Sequence, residues 1–357
     1  MVSKALSTYS LFSVALVLSF LRSAEAHTVY GFYNTSCPHA EHIIRDELTA
    51  ILAKSPDLAG PLLRLHFVDC FVGGCEASIL LNSTANNTAE KDAAANVGLR
   101  GFDVIDGIKA KLEEVCPGIV SCADIIALAA RDSVFLTNGP DYNITLGRRD
   151  GNTSAASEVI NNIPLPTASI DDLKAFFAKK NLTAKDLVVL SGAHTIGKSH
   201  CSSFSDRLYN FTGKGDVDPT LDANYTTVLK SQCKPKDMST LVEMDPNSSS
   251  TFDFSYYAQV SRGRGLFVSD KALLNDTVTK AYVDGHVNAT NMEEFFNDFV
   301  TSMVTMGKIG ALTHHSGEIR KVCSAVNPPP PPSSAATRID VFYCFISGLF
   351  LLMFSLF

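Results

Sequence analysis

Apolar residues recur along this chain at helical spacing. Ile43-Ile44, Leu48 and Ile51-Leu52 keep a 3.6-residue period after Pro38, and Ile125-Ile126, Leu128-Ala129 and Val134 do the same after Cys122. Nearer the C-terminus Phe295-Phe296, Phe299-Val300 and Met303-Val304 repeat at i+3 and i+4, preceded by Thr290 and Glu293 in capping-box spacing. No run alternates apolar and polar residues in the manner of a half-buried strand, and Gly and Pro fall between the periodic segments. The pattern predicts a mostly α fold, two helical halves around something held between them. No repeat, low-complexity run or long linker interrupts residues 27–326, which read as one domain.

Two further apolar runs lie outside that stretch. Lys4, the apolar stretch Leu11–Leu21 and Ala24-Glu25-Ala26 have the charged, hydrophobic and small-x-small parts of a secretory leader over residues 1–26, cleaved before His27. A buried N-terminal helix is the alternative. At the other end, a Pro-rich linker over 327–333 contains Pro328–Pro332, and residues 334–357 run through small and polar residues into an apolar tail, Val341–Phe357. That order fits a GPI-attachment signal, removed when the lipid is added, which places the protein at the outer face of the plasma membrane. A retained membrane anchor and a trimmed extension stay open as alternatives.

Composition narrows the function. Thirty Lys+Arg against 37 Asp+Glu give a net charge of −7, which offers no basic footprint for nucleic acid. Eleven N-x-Ser/Thr sequons, at Asn34, Asn82, Asn86, Asn143, Asn152, Asn181, Asn210, Asn224, Asn247, Asn275 and Asn288, suit a secreted glycoprotein. Nine cysteines in an exported chain point to disulfides, and the odd number leaves one over; Cys344 lies in the apolar tail that processing would remove.

Residues 61–81 read PLLRLHFVDCFVGGCEASILL, and residues 190–197 read LSGAHTIG. In order with them stand YNTSCP at 33–38, RGFDVID at 100–106, CPGIVSCADIIALAARDSV at 116–134, LGRRDG at 146–151, DRLYNF at 206–211 and GEIRKVC at 317–323. Together these segments resemble the secreted plant haem peroxidases of class III over nearly the whole of residues 27–326. The resemblance implies a plant-type haem peroxidase fold, two helical halves sandwiching haem b. It implies oxidation of small phenolic donors by hydrogen peroxide, with a place in oxidative-stress chemistry, by a monomer.

The resemblance also assigns roles. His194 is the axial ligand of the haem iron, with Asp270 as the carboxylate behind its other ring nitrogen, an arrangement that makes the ligand electron-rich. Phe67 lies against the haem. On the opposite side Arg64 is the cation that stabilises developing negative charge. Four residues on, the family carries a histidine as proton-transferring base; this chain has Val68. Asn96 matches the asparagine that orients that histidine. His66 is no substitute, since two residues turn a helix by about 200°. Losing a positioned general base costs roughly 10²–10⁴-fold. The resemblance therefore implies a haem peroxidase of weak activity, with a non-enzymatic haem-binding wall or surface protein as the alternative reading and slow haem oxidase chemistry as a third.

Two calcium sites follow from the same resemblance: Asp69, Val72, Gly74, Glu76 and Ser78 on one side, and Thr195, Asp245, Ser248, Thr251 and Asp253 on the other. Glu76 stands for the usual aspartate, which leaves the first site the less certain of the two. Pro164 matches the donor-binding proline, with Ala94 and Ser203 where some members carry aromatic residues. The disulfides implied are Cys37–Cys116, Cys70–Cys75, Cys122–Cys323 and Cys201–Cys233.

Overall fold

Ile44, Leu48 and Leu52 lie one turn apart and are all buried on one face of α1 (Ala40–Lys54). These coordinates are a computed structural model that describes residues 28–329. The leader, most of the Pro-rich stretch and the apolar tail with Cys344 lie outside the described residues. After α1, a short 3-10 turn redirects the chain into α2 (Ala59–Phe71), nine of whose thirteen residues are buried. A helix apolar around most of its circumference belongs in an interior. α3 (Phe102–Val115) follows and packs on α4 (Cys122–Leu136), and every residue of α4 from Cys122 to Val134 is buried. α2 and α1 both pack along α4. The Ser121 hydroxyl caps α4 by accepting from the Asp124 N–H at 3.1 Å.

The second run of helices begins with α5 (Ala156–Asn162), α6 (Ile170–Lys179) and α7 (Ala184–Ser191). Capping boxes start the latter two, Ser169 with Asp172 and Thr183 with Asp186. Past α7 the chain tightens into the 3-10 turn Gly192–Thr195. It then enters β1 (Lys198–His200), which pairs antiparallel with β2 (Leu241–Glu243), Ser199 opposite Val242. Between the strands come α8 (Ser205–Tyr209) and α9 (Ala223–Gln232). Helices α10 (Ser255–Ser261), α11 (Val268–Ala272), α12 (Thr277–Val287) and α13 (Glu293–Met306) complete the order. The fold is mostly helical, with this short ribbon its one sheet among the described residues. One large core runs through α1–α7, α10, α12 and α13, and a smaller one gathers Phe204, Leu208, Leu229, Val242 and Leu266.

One expected detail fails. α13 forms where its apolar period predicts, but Met292 is its N-cap and no side-chain cap forms there. Thr290 lies too far ahead of that N-cap to reach the first-turn amides, and the Glu293 N–H instead donates to Asn291 Oδ1 at 3.3 Å.

Two motifs turn out to be structural clamps. Buried Asp124 accepts from Tyr33 Oη at 2.7 Å, the Gly147 N–H at 2.6 Å and Arg148 Nη1 at 2.8 Å. Buried Asp150 accepts from the Ala123 and Arg320 N–H groups, while the Arg320 guanidinium donates to the Cys323 and Ala77 carbonyls. Buried charges hydrogen-bonded in this way hold elements in register that apolar contact alone would let slide. Disulfides join Cys37 to Cys116, Cys70 to Cys75, Cys122 to Cys323 and Cys201 to Cys233.

Candidate functional site

The 3-10 turn after α7 presents His194, whose side chain keeps 37% of its surface open. Its Nδ1 lies 2.8 Å from Asp270 Oδ1 on α11. Tyr256 Oη donates to the same oxygen at 2.9 Å, and the Phe267 N–H donates to Asp270 Oδ2 at 2.8 Å. Burial pushes the Asp270 carboxyl up, but the His194 contact and these hydrogen bonds outweigh it and hold the group below its ordinary value. A carboxylate acceptor places the imidazole proton on Nδ1 and leaves the Nε2 lone pair available. The rings of Tyr256 and Phe267 stand edge-on to the imidazole at 5.8 and 5.4 Å and fix its tilt. Nε2 makes no hydrogen bond among the described residues. An imidazole held from behind with its outer nitrogen free is the posture of a metal ligand.

The facing element is α2. A side-chain carbon at Gly60 would lie 2.8 Å from the Gly197 Cα, so the start of α2 sits against the segment that follows His194. Gly60, Arg64 and Val68 are spaced by four residues and share one face of the helix. Contact at Gly60 therefore turns the face bearing Arg64 and Val68 toward His194's segment. A second contact ties the loop beyond Asn96 to β1, where a carbon at Gly98 would lie 2.5 Å from His200 Nε2.

Arg64 is open to solvent, forms no ion pair among the described residues, and donates from Nη2 to the Ala95 carbonyl at 3.3 Å. The protein around it nevertheless pushes its pKa down. A side chain that is exposed yet desolvated by the protein around it lies in a concave part of the surface. One turn along, Val68 is fully buried. Phe67 is half-buried with its ring 4.3 Å from Phe71. Asn96 is buried, its Nδ2 donating to the Glu90 carbonyl at 2.9 Å while its Oδ1 has no partner. An unpaired buried acceptor costs about 1–3 kcal/mol, so this oxygen awaits a donor.

Both expected cation sites gather oxygen. Asp69 is fully buried and neither carboxylate oxygen has a hydrogen-bond partner; Ser78 Oγ is likewise unpaired. Burial pushes the Asp69 carboxyl well up. A carbon at Gly73 would meet Glu76 Oε1 at 2.7 Å and Ser78 Oγ at 3.2 Å, so Glu76 and Ser78 converge over that glycine. Glu90, pushed up to about 7 by burial, supplies another unpaired buried oxygen nearby. Of the two backbone carbonyls expected at this site, that of Val72 takes a long 3.5 Å contact from Lys180 Nζ and that of Gly74 accepts from the Glu76 N–H at 2.7 Å.

At the other site, Thr195 Oγ1 donates toward Asp253 at 3.1 Å and Asp245 at 3.5 Å, and Ser248 Oγ donates to Asp253 at 2.7 Å. Thr251 joins through its backbone, its N–H donating to the Ser248 carbonyl. Asp245 Oδ1 is buried without a partner, and burial pushes that carboxyl up to about 6. No three His, Cys, Asp or Glu side chains converge on one point among the described residues. A cation here would rest on one or two carboxylates completed by hydroxyls and carbonyls, a hard-oxygen set suited to calcium.

Pro164 lies half-buried just past α5, and this loop docks on α11 through the Ser269 N–H and the Pro166 carbonyl at 2.9 Å. Ala94 is exposed and Ser203 half-buried, so neither closes the crevice with a ring. His66 points elsewhere. It lines a cavity of about 10 Å³, room for one water, with Tyr142 and Arg148. Three participants escaped sequence reasoning: Tyr256 and Phe267 around His194, and Ser255, which donates to Asp245 at 2.5 Å and also to Asp253. The doubled tyrosine three residues past Asp253 is the signal that points to the first.

Comparison with known proteins agrees with this geometry. The peroxidase family model matches residues 44–289. Peroxidase 1 of Oryza sativa subsp. japonica is 50% identical over 325 residues, 90% of this chain and 99% of that protein. Peroxidase 5 of Vitis vinifera is 50% identical over 330 residues, 92% of this chain and all of the relative, and Peroxidase 27 of Arabidopsis thaliana is 50% identical over 312, covering 87% and 96%. With a His–Asp pair facing an arginine-bearing helix and half its residues shared along full-length relatives, the chain is a member of the plant class III peroxidase family.

Proposed function

We propose that the crevice between α2 and the His194 turn holds haem b, and that the protein reduces hydrogen peroxide at the expense of small phenolic donors, slowly. The observation that carries this is the His194–Asp270 pair at 2.8 Å with Nε2 unpaired, beside the helix face bearing Arg64. Haem would supply the redox-active iron at which the peroxide O–O bond is cleaved. His194 binds and, through Asp270, stays electron-rich and oriented. The Arg64 guanidinium, unpaired among the described residues, stabilises negative charge growing on the oxygen of peroxide. Phe67 packs against the haem, and Pro164 lines the mouth where a phenol approaches.

Val68 stands where the family has its base, and a buried isopropyl group neither takes nor returns a proton. Asn96 Oδ1 keeps the acceptor without the imidazole N–H it would hold. That pairing favours one second reading, a haem-carrying surface protein with little turnover. Calcium at the two oxygen clusters would neutralise Asp69 and Asp245 and brace α2 and the His194 turn from behind. We read the leader, the sequons and the tail as secretion, glycosylation and GPI anchoring at the cell surface.

The test is to express the chain in a secreting plant host and record its visible spectrum before and after hydrogen peroxide. Expected are a haem band that His194→Ala abolishes and phenol oxidation roughly 10²–10⁴-fold slower than a protein with a distal base supports. Absence of haem overturns the reading; a fast peroxide reaction by the natural protein overturns the slow-turnover part. Release from membranes by a phosphatidylinositol-specific phospholipase tests the anchor.

A further inference from the structure

We propose that Tyr282 is a second oxidation site, at the protein surface, for phenolic donors too large to enter the crevice, such as phenols carried on a soluble polymer. The inference rests on the haem reading above and extends it to residues that reading does not use. A row of rings leads outward from His194. Tyr256 is 5.8 Å from the imidazole, Tyr257 is 5.4 Å from Tyr256, and Tyr282 is 5.6 Å from Tyr257, ring centre to ring centre. Tyr256 and Tyr257 are buried, whereas Tyr282 on α12 is only half-buried. The chain has no Trp, so tyrosine is its most readily oxidised aromatic side chain. The other rings packed on this row, Phe267 and Phe295, have no such chemistry to offer.

Oxidising a phenol at neutral pH requires somewhere for its proton to go. At both ends of the row that acceptor is a carboxylate: Tyr256 Oη donates to Asp270 at 2.9 Å and Tyr282 Oη to Asp298 at 3.0 Å. Buried Tyr257 donates only to the Val188 carbonyl, at 3.1 Å, which cannot keep a proton. The middle ring therefore passes an electron without holding the oxidised state, and the outer ring can hold it. His286 stacks on Tyr282 at 4.2 Å and fixes its plane.

The step balances. One electron leaves Tyr282 through Tyr257 and Tyr256 to the prosthetic group that peroxide has oxidised, and the phenolic proton moves to Asp298, leaving a neutral tyrosyl radical. A surface donor phenol then gives up one electron to Tyr282, Asp298 returns the phenolic proton to it, and the donor's own proton goes to solvent as the donor radical is released. Short gaps between aromatic rings make this relay faster than one long transfer from the surface.

The experiment replaces haem by zinc protoporphyrin and illuminates the full chain with persulfate as electron acceptor, which oxidises the porphyrin without peroxide or any distal base. Radicals are trapped with a nitroso spin trap and located by mass spectrometry. The expected result is an adduct on Tyr282, reduced at least tenfold by Tyr257→Phe and abolished by Tyr282→Phe. An adduct on Tyr282 unchanged in Tyr257→Phe, or labelling confined to tyrosines off the row such as Tyr30, overturns the site. Failure to bind the zinc porphyrin overturns the haem reading itself, so the two outcomes are told apart. In peroxide-driven turnover, Tyr282→Phe should lower oxidation of a polymer-bound phenol about tenfold and leave a free phenol unchanged; equal effects on both, or none, overturn it.

Discussion

Replacing Val68 by histidine puts an imidazole one turn from Arg64, on the face of α2 that meets the His194 segment, and on the function proposed above the unpaired Asn96 Oδ1 is its acceptor. Val68→His is expected to raise the rate of reaction with peroxide by roughly 10²–10⁴-fold, measured by stopped-flow absorbance. Asn96→Ala should change that rate little in the natural protein and at least tenfold in the Val68→His background, because only there has the amide a partner to hold. His66 obeys different physics. Burial, with Arg148 beside it, pushes its pKa down to about 3. The unfolded chain takes up a proton there below about pH 6.5, which the folded protein refuses until about pH 3, so stability falls as pH drops through that window. Between pH 6.5 and 4 the loss from this one group is about 3 kcal/mol, and His66→Gln should flatten that part of a urea-denaturation profile.

Elements meet at this site through backbone rather than side chains. The start of α2 reaches the His194 segment only because Gly60 and Gly197 have no side chains to separate them. Gly60→Ala is expected to destabilise the protein by about 1–3 kcal/mol and to weaken haem retention, read by thermal melting and by transfer of haem to apomyoglobin. The oxygen clusters behind α2 and behind the His194 turn behave as one unit with the cation each would hold. Chelation should lower the melting temperature, and calcium at a hundred times its Kd should restore about 2.7 kcal/mol. Asp69→Asn, which removes charge from a carboxylate with two unpaired oxygens, should abolish part of that calcium response.

Across the whole molecule, long-range covalent ties hold the ends of the fold together. Cys122 opens the central α4 and is bonded to Cys323, 201 residues away. Opening a loop of that length releases about 5 kcal/mol of chain entropy in the unfolded state, so a Cys122→Ser, Cys323→Ser protein should unfold at markedly lower urea concentration. The same tie anchors the segment carrying Arg320, whose guanidinium clamps the Ala77 carbonyl next to Ser78. Loss of the disulfide should therefore weaken calcium binding as well as stability.

Much of this was legible from residues in order. The apolar period placed α1, α4 and α13 because burial of one face is a local property of spacing, and His194, Asp270, Arg64 and Asn96 stood out in motifs long enough to resemble one family. Local spacing misled at Thr290, where a capping signature lost to the turn that tertiary packing imposes before α13. The resemblance implied the His194–Asp270 pair and the disulfides, but not the packing around them. Gly60 against Gly197, and Tyr282 and His194 against Tyr257 and Tyr256, meet only because the packed chain brings together residues far apart in sequence. The sequence by itself determined which chemical groups this protein owns; tertiary structure decided which of them share a low-dielectric interior, and therefore which are left unpaired to bind, orient or conduct.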